Sequence, residues 1–441
     1  MRPRRTATTT TAAAAALALG TALFGVPGTP AGAAVPPADG EVALTATFNT
    51  PNGAPAAQNA IRDHLVSLIT RTPAGEEIKG SVFLFTDDVV RNALLDARAR
   101  GVKVELILDQ QSDNTPKGGE FEHLRDGVKD GAGKVVKPGL GSDVFTADSW
   151  VMTCPVNRGC IGSRDLDGPG PGHPINHNKF FLFSKVGITP NVVFQSSANL
   201  TTTQRIDYYN NAVTVPDAGL YKNYAGYFDD LKFHGGTTSD GLDHYYRTAD
   251  SATGPYKTYF FPRKERTGQP VNDPDTDTVL SLVSNLDCSD NAGRIRVAMF
   301  AFTRDKVASA LVQKKKEGCK VEVLATDEVD EETGKRTLDD DVRRVLATGG
   351  LDRFSACAGT ATDSKGVERP IGIHSKYMLI EGRYLDAAGQ KLVFTGSHNY
   401  TVPNLRSNDE TLLKVRNALV HDAFVANFEA MKADTTTCRT S

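Results

Sequence analysis

The chain has 441 residues, of which 39% are hydrophobic, and its formal net charge is −3. That length allows two ordinary domains with sizeable cores. Proteins that grip nucleic acid usually carry a basic surplus or basic tracts. The one basic run noted here, Lys314-Lys315-Lys316, is typical of the solvated face of a helix. The composition therefore argues against nucleic acid as a partner without excluding it.

The first segment in chain order, 1–33, is typical of a secretory signal peptide that is removed. It has three early arginines, an apolar run over 12–24 and small residues at 31–33. The apolar run is too short and too rich in alanine for a convincing membrane span. We therefore expect a secreted, extracellular protein, whose net charge would change from −3 to −6 on loss of the three arginines and no acidic residue.

The remaining sequence repeats itself. Residues 82–109 and 299–326 align without gaps and are identical at eleven of 28 positions, among them the Phe-x-Phe-Thr phrase that begins at Phe83 and Phe300. Duplication explains this better than chance. It predicts two similar halves, 34–245 and 276–441, joined by a connecting segment at 246–275 that is rich in Pro, Thr, Asp and Gly.

Each copy of the repeat has the pattern strand, helix, strand. Strands are predicted at 81–85 and 102–108 in the first copy, and at 295–302 and 319–324 in the second. Thr86 and Thr303 occupy the positions expected for helix N-caps, and Gly101 and Gly318 those expected after a helix C-terminus. The alternation predicts an α/β fold with two α/β/α halves, whose mixed sheets are mainly parallel.

Six cysteines in an exported protein predict disulfide bonds. Cys154 and Cys160 are close enough to close a small loop in a glycine-rich insertion of the first half, which we expect to shape the mouth of a site. The other four cysteines can pair in three ways. We favour Cys319–Cys357, because both are predicted near neighbouring strands, and this leaves Cys288–Cys438. The sequence has no CxxC pair or clustered Cys/His spacing that would indicate zinc.

The strongest functional signal is a set of polar residues that occurs once in each half. The first set is His177-Asn178-Lys179 followed by Ser197-Ala198-Asn199, and the second is His374-Ser375-Lys376 followed by Ser397-His398-Asn399. A strand is predicted to start at each lysine, so the histidine and the lysine two residues later face the same side. The next strand ends at the Ser-x-Asn phrase, which can meet that side.

These side chains suit the chemistry of a phosphodiester. Two lysines, two asparagines and two serines can hold the phosphate oxygens without a metal or another cofactor. A neutral imidazole is a nucleophile and a charged one is an acid, so two histidines can divide the reaction between them. A single histidine beside a buried strand is more often structural, but duplication of the whole set favours catalysis.

The duplicated motif resembles that of the phospholipase D superfamily, His-x-Lys-x4-Asp followed by Gly-Ser/Gly-x-Asn, over roughly 80–215 and 295–415. The resemblance implies a pseudo-two-fold arrangement of the halves. It implies roles for eight residues, as catalytic or phosphate-binding groups: His177, Lys179, Ser197, Asn199, His374, Lys376, Ser397 and Asn399. In the family the N-terminal histidine is commonly the nucleophile, which assigns that role to His177 and acid/base work to His374.

The sequence departs from the family pattern in places. The motif aspartate is replaced by Ser184 in the first half and by Glu381 in the second, which bears on the subfamily more than on the chemistry. In relatives a residue further on orients the motif histidine, and alignment puts Asn210 and Glu410 at that position. We expect Asn210 beside His177, leaving it neutral, and Glu410 beside His374, favouring its charged, acidic form.

These observations predict a phosphodiesterase of phospholipase D type. We expect it to hydrolyse or transfer a phospholipid head group at a membrane or micelle surface, as a monomer, through a covalent phosphohistidine. Two alternatives are an extracellular nuclease or DNA-end phosphodiesterase of the same superfamily, and a non-catalytic relative that binds phosphorylated ligands. Export and acidic charge favour lipid over nucleic acid, and the intact motifs in both halves argue against the non-catalytic relative.

Overall fold

The computed structural model describes residues 40–113, 119–166, 173–236, 251–329, 334–362 and 366–438. The predicted signal peptide and the start of the predicted connecting segment lie outside these residues. The described part of both halves belongs to one compact unit. No helix in the described ranges is both long enough and apolar enough to cross a membrane.

The first half begins with a strand and alternates strands with helices. Its elements are β1 (Thr45–Phe48), α1 (Pro55–Arg71), β2 (Glu77–Val82), α2 (Asp88–Ala99), β3 (Lys103–Leu108), α3 (Gly119–Asp126), β4 (Gly127–Lys129), β5 (Val135–Pro138), β6 (Trp150–Thr153), β7 (Lys179–Val186), β8 (Thr189–Ser196), α4 (Thr202–Ile206), β9 (Tyr208–Tyr209), β10 (Asn211–Pro216) and α5 (Ala218–Gly236).

The second half follows the same plan. Its elements are β11 (Ser251–Thr253), β12 (Tyr256–Phe261), α6 (Thr278–Ser284), β13 (Leu286–Asp287), β14 (Arg294–Met299), α7 (Asp305–Lys316), β15 (Lys320–Thr326), α8 (Asp340–Thr348), β16 (Arg353–Cys357), β17 (Gly359–Thr362), β18 (Glu368–Ile373), β19 (Lys376–Tyr384), β20 (Ala387–Gly396), α9 (Val402–Arg406), β21 (Glu410–Arg416) and α10 (Ala418–Ala433). Single 3₁₀ turns occur at Gln110–Ser112 and Pro274–Thr276.

Each half is built on one large mixed sheet. Among the described residues the first has the order β1-β10-β8-β7-β2-β3-β6, and the second β11-β12-β21-β20-β19-β14-β15-β16, with β13 paired to β19. The predicted α/β fold of two halves is confirmed. Within each sheet, however, parallel pairing is limited to β2-β3-β6 and β14-β15-β16, and the other neighbours are antiparallel.

The predicted excess of parallel pairs is wrong because the strands that carry the two motif phrases form hairpins. Only Gly187 and Ile188 separate β7 from β8, and only Leu385 and Asp386 separate β19 from β20. A two-residue loop can join only antiparallel strands, since a parallel crossover needs a dozen or more residues. Part of the segment expected to connect the halves is also sheet, because β12 pairs with β21.

The helix boundaries of the repeat correct one detail of the sequence analysis. The N-cap of α2 is Asp87, whose carboxylate accepts from the backbone N–H groups of Val89 and Val90, and not Thr86. The N-cap position of α7 is Arg304 and not Thr303. Both threonines have another task, described below. Gly101 and Gly318 do follow the helix ends, with φ of 93° and 105°, values that favour glycine.

The helices and the two sheets form five stacked layers, in which layers of helices alternate with the sheets. Alternate side chains of β7 divide between two cores: Phe181 and Phe183 pack with α1, α2 and α3, whereas Phe180 and Leu182 pack with α5 and α10. The strand β19 repeats this, with Tyr377 and Leu379 facing the same central core and its intervening residues facing α6, α7 and α8. The helices α5 and α10 therefore lie between the sheets.

All six cysteines form disulfide bonds, and two of the predicted pairs are wrong. Cys154–Cys160 is confirmed, but the other pairs are Cys288–Cys319 and Cys357–Cys438. Cys288 and Cys319 lie just before the adjacent parallel strands β14 and β15, with their Cα atoms 5.0 Å apart. Cys357 ends β16 and forms an isolated bridge with Cys438, which returns from α10.

Candidate active site

The two motif histidines lie where the halves meet. The segment before His177 forms a parallel bridge between Asn176 and Asp409 of the second half. In the same way, β18, which precedes His374, pairs in parallel with β9 of the first half. Each histidine is therefore held beside a strand from the other half, and each is more than nine-tenths buried.

This pairing overturns the expected partners of the histidines. Nδ1 of His177 lies 2.8 Å from Oε1 of Glu410, and Nδ1 of His374 lies 3.0 Å from Oδ1 of Asn210. Asn210 and Glu410 each contact Nδ1 of a motif histidine, but it is the histidine of the opposite half and not, as expected, that of their own. The cause is the strand pairing just described, which an alignment of one half with the other does not show.

The orienting groups are themselves fixed by hydrogen bonds. Oδ1 of Asn210 accepts from the Ser197 hydroxyl at 3.0 Å, and its Nδ2 donates to the carbonyl of Gln204 at 2.9 Å. The second bond fixes the orientation of the amide, so Nδ1 of His374 must donate to Oδ1. Ser197, which the sequence predicted as a phosphate ligand, is therefore part of the support of His374.

Glu410 has an equivalent support. Its carboxylate is fully buried and accepts from the hydroxyl of Ser397 and from the side-chain amide of Asn404. A carboxylate accepts the Nδ1 hydrogen of His177 and leaves Nε2 with a free lone pair. Ser397, like Ser197, thus supports an orienting residue, and Asn404 is a functional residue that the sequence analysis missed.

Both motif lysines lie against the histidine of their own half. Nζ of Lys179 donates to the carbonyl of His177 at 2.8 Å, and Nζ of Lys376 donates to that of His374 at 2.9 Å. Nζ of Lys376 also lies 3.0 Å from Nδ1 and 3.1 Å from Nε2 of His374. Both lysines are almost completely buried, and in this position they can meet a phosphate bound between the histidines.

The repeated Phe-x-Phe-Thr phrase completes each half-site. The ring of Phe83 lies 5.1 Å from that of His177, and the ring of Phe300 lies 4.5 Å from that of His374. Each ring also lies under the lysine of its half, at 5.1 Å from Nζ of Lys179 and 5.0 Å from that of Lys376. The sequence analysis used these phenylalanines as evidence of duplication but missed their place in the site.

The end of the same phrase holds the Ser-x-Asn loop. The N–H of Thr86 donates to the carbonyl of Leu200, the residue after Asn199, and that of Thr303 donates to Tyr400, the residue after Asn399. This is the task of the two threonines expected to be N-caps. Asn199 and Asn399 are buried beside the site, and Oδ1 of Asn399 accepts from the backbone of Ala301 at 3.2 Å.

Burial sets the electrostatics of the site. It lowers the pKa of His177 and of His374 well below the usual value, and the charges of Lys179 and Lys376 lower both further. Because the charge of each lysine acts on the histidines of both halves, the four groups lie near one another. Burial also lowers the pKa of Lys179 to about 7 and that of Lys376 well below its usual value, in both cases against the opposing charge of Glu410. The empty site therefore holds two neutral imidazoles near neutral pH.

The residues that replace the family aspartate lie away from this pocket. Ser184 bonds to Glu76 and to the N–H of Glu77 at the far end of β2, and Glu381 pairs with Arg296 across β14 at 2.5 Å. Both hold neighbouring strands together, which agrees with a structural task for this position. His398 is buried against the ring of Phe261, 4.3 Å away, and makes no direct contact with either motif histidine among the contacts described.

Comparison with known proteins assigns the family. Residues 65–232 and 287–432 match the family profile described as "Cardiolipin synthase, PLD-like domain". This match covers more than half of the chain and both motif phrases of each half. The chain therefore belongs to the phospholipase D superfamily, whose members are phosphodiesterases and phosphotransferases. Among curated protein sequences, none is significantly similar to it.

Similar solved structures show the same fold. The phosphatidylserine synthase of Haemophilus influenzae Rd KW20 is 11% identical, with a TM-score of 0.50, over 90% of this chain and 87% of that chain. The polyphosphate kinase of Porphyromonas gingivalis is 12% identical, with a TM-score of 0.50, over 89% of this chain and 51% of that chain. The chain thus spans about half the length of the kinase. At these identities the likeness concerns the fold alone.

Proposed function

We propose that the protein is a secreted phosphodiesterase of phospholipase D type, which hydrolyses or transfers the head group of a phospholipid. The observation that carries the proposal is the pair of buried histidines, each held through Nδ1 by the opposite half and each in contact with the lysine of its own half. This arrangement leaves the Nε2 atom of each histidine available to one phosphate, and the charged forms of the two lysines would hold its oxygens.

In the proposed reaction, the lone pair on Nε2 of His177 attacks phosphorus and forms a P–N bond. Binding of the anionic phosphate raises the pKa of His374, so that its Nε2 carries a proton in the complex. The P–O bond to the head group breaks, and the leaving oxygen takes the electron pair and this proton from Nε2 of His374. His374 then accepts a proton from water or from an alcohol, whose oxygen attacks phosphorus. The P–N bond breaks and returns its electron pair to His177.

The observed partners support this division of labour for a reason different from the one expected. Phosphorylation of Nε2 makes the His177 ring cationic, and the carboxylate of Glu410 stabilises that charge. The amide of Asn210 gives His374 no such stabilisation, so a protonated His374 releases its proton readily. A carboxylate behind the nucleophile and an amide behind the acid thus favour the same assignment of roles.

Two observations support a lipid rather than a nucleic acid substrate. The predicted mature chain has a net charge of −6, whereas nucleic acid binding relies on a basic surplus. The family profile that matches the chain takes its description from cardiolipin synthase, whose name refers to a phospholipid. The predicted signal peptide supports a reaction outside the cell.

The direct test is release of the head group from vesicles of mixed phospholipids in the presence of a chelator. We expect choline or ethanolamine and phosphatidic acid as products, and a phosphatidyl alcohol when a primary alcohol is added. Acid quenching followed by peptide mass spectrometry should find phosphate on the peptide that contains His177, and His177→Ala should abolish both results. No head-group release from any vesicle would contradict the proposal.

The alternative substrate is tested in the same conditions with supercoiled plasmid. Nicking in chelator that falls steeply as salt rises would assign the site to nucleic acid. Binding of phosphorylated ligands without turnover, unchanged in His177→Ala, would instead indicate the non-catalytic relative.

A further inference from the structure

The backbone of each catalytic histidine is held by the residue just before its orienting residue. The N–H of His177 donates to the carbonyl of Asp409 at 3.0 Å, and the N–H of His374 donates to the carbonyl of Tyr209 at 2.8 Å. Asp409 and Tyr209 are equivalent in the two halves. Their own side chains point away from the histidines and are fixed by quite different groups.

The Asp409 carboxylate is fully buried in a cradle of three consecutive backbone N–H groups from the first half. Cys160 donates to Oδ2 at 2.6 Å, Gly162 donates to Oδ1 at 2.7 Å, and Ile161 lies 3.2 Å from Oδ2. The cradle needs glycine at its edge, since a Cβ on Gly159 would lie 2.6 Å from Oδ2. Backbone N–H groups in this arrangement form a binding site for an anion.

A disulfide bond closes the loop that forms this cradle. Cys160 is bonded to Cys154, the residue that directly follows β6. Inside the loop, the guanidinium of Arg158 donates to the carbonyl of Cys160 at 2.5 Å and to that of His234 in α5 at 3.3 Å. The loop is therefore fixed to the first half at two points, and it holds Asp409 of the second half.

Tyr209 is held on the other side in a comparable way. Its hydroxyl donates to Oδ2 of Asp434 at 2.8 Å. Asp434 caps a turn at the end of α10, where it accepts from the N–H of Thr436 at 3.0 Å and its own carbonyl accepts from Cys438 at 2.8 Å. Cys438 is bonded to Cys357 at the end of β16.

We propose that Asp409 and Tyr209 are positioning residues for His177 and His374, and that the disulfides Cys154–Cys160 and Cys357–Cys438 fix them from outside the site. The inference rests on the proposed function only through the two histidines, and it holds whichever phosphodiester is the substrate. A small displacement of either backbone changes the angle at which Nε2 meets phosphorus, and errors of about 1 Å reduce rates by up to about 100-fold.

The third disulfide offers a matched control. Cys288 and Cys319 lie at the start of β14 and β15, whereas Met299 at the end of β14 pairs with Lys376 in the site. Six residues of strand, about 20 Å, separate this disulfide from the site. Its removal costs stability but leaves the position of both histidines unchanged.

The test compares Tyr209→Phe, Asp409→Asn and the paired Cys→Ala variants on two lipids with the same acyl chains. One carries choline, whose release needs a proton from His374, and the other carries p-nitrophenol, whose release needs none. The readouts are kcat, KM and the single-turnover burst of p-nitrophenolate, which reports attack by His177 alone. The melting temperature of each variant is measured beside them.

We expect Tyr209→Phe to lower kcat for the choline lipid about 10-fold, with KM and the burst unchanged, because only the acid is displaced. Asp409→Asn leaves an N–H of the cradle without an acceptor, and it should slow the burst and choline release alike by about 10- to 100-fold. The Cys154/Cys160 variant should show the same changes in the burst and in choline release as Asp409→Asn. The Cys357/Cys438 variant should show the same changes as Tyr209→Phe. The Cys288/Cys319 variant should keep the wild-type kcat and burst at temperatures where it is folded.

The inference is overturned if Tyr209→Phe lowers the burst as much as choline release, or if all three disulfide variants change kcat equally. Tyr209→Phe keeps the ring in the core, so it decides the matter even where another variant does not fold. Failure of the proposed function looks different: the wild-type protein itself would release neither head group, or would release it equally well in His177→Ala.

Discussion

The two half-sites have the same scaffold and differ in one charged group. On both sides a neighbouring strand from the other half accepts the backbone N–H of the histidine and supplies the acceptor for Nδ1. On the His177 side that acceptor is the carboxylate of Glu410, and on the His374 side it is the amide of Asn210. A duplicated chain thus obtains two chemically different imidazoles from a single substitution at equivalent positions.

The comparison also shows why neither half can form a working site alone. The support of His177 comes from Glu410, Ser397 and Asn404 of the second half, and that of His374 comes from Asn210 and Ser197 of the first. Because the supports are exchanged, separation of the halves removes the orienting group from both histidines at once. The burial that lowers the pKa of each histidine also depends on their contact.

The largest expected effect separates the two histidines. His177→Ala removes the proposed nucleophile and should lower kcat by about 10⁴-fold or more on every substrate. His374→Ala should cost about 10²- to 10⁴-fold on a phospholipid with a poor leaving group. With a p-nitrophenol head group, His374→Ala should keep its first-turnover burst, measured by stopped-flow absorbance, whereas His177→Ala should show none.

The reverse result would exchange the roles of the half-sites. If His177→Ala retains the burst and His374→Ala loses it, then His374 is the nucleophile. The amide of Asn210 would in that case support the phosphorylated ring, and the electrostatic argument from Glu410 would be wrong. Both variants should be checked for folding by circular dichroism.

A smaller effect tests the charged group itself. Glu410→Gln should lower kcat by about 10- to 100-fold, because the cationic phosphohistidine loses its counter-charge. Burial lowers the pKa of His177 well below its usual value and raises that of Glu410 well above it. Because the two groups are hydrogen-bonded, the acid limb of the kcat/KM profile belongs to the pair. In Glu410→Gln the acid limb reports the pKa of His177 alone. It should move to lower pH, because the variant removes the nearest anion, which stabilises the protonated imidazole.

The matched control for this variant is Asn210→Ala, which removes an uncharged acceptor. It should lower kcat by less than Glu410→Gln does and leave the acid limb in place. Equal losses in the two variants, with no movement of either pH profile, would show that the orienting groups act only through geometry.

What the sequence could predict follows from the range of each interaction. His177 and Lys179 are two residues apart on one strand, so their common face is a local property that the motif displays. The partners of the histidines are not local, because Glu410 is 233 residues from His177 and meets it only through pairing of Asn176 with Asp409. Alignment of the halves gave the right orienting residues and could not give their exchange.

Two other errors have different physical causes. The strand–helix–strand repeat does form parallel pairs, but it covers only one side of each sheet. On the other side, β7 and β8 form a hairpin through Gly187-Ile188, and the sequence analysis missed the glycine there as a signal of a tight turn. The disulfides could not be assigned because pairing depends on which strand ends coincide in space. Cys319 precedes β15 and Cys357 ends β16, so the two lie at opposite ends of neighbouring strands.

The lysines give a prediction for the alkaline side of the pH profile. Burial lowers the pKa of Lys179 to about 7, and only the charged form attracts phosphate. The kcat/KM value should therefore fall as the pH rises through about 7, whereas kcat should stay level, because a bound phosphate holds the proton on the lysine. Lys179→Arg should extend the plateau of kcat/KM to higher pH, since arginine keeps its charge.

The control for this variant is Asn199→Ala, which removes a predicted phosphate ligand without changing a titrating group. It should lower kcat/KM at every pH and leave the alkaline limb where it is. A wild-type kcat/KM value that is constant from pH 6 to pH 9 would show that Lys179 keeps its proton in the free enzyme. The negative charge of Glu410 would then offset the cost of burying the ammonium group.

The smallest expected effect compares the two phenylalanines that lie beside the histidines. Phe83→Leu and Phe300→Leu each remove a ring that contacts one imidazole and lies 5.0 to 5.1 Å from one ammonium group. Contacts of this kind contribute about 0.5–1.5 kcal/mol, so each variant should lose a few-fold in kcat/KM. Phe83→Leu should slow the burst with the p-nitrophenol lipid, because it loosens the nucleophile, whereas Phe300→Leu should slow only release of choline. Equal effects of the two variants on both lipids would mean that the rings act on the pocket as a whole and do not distinguish the half-sites.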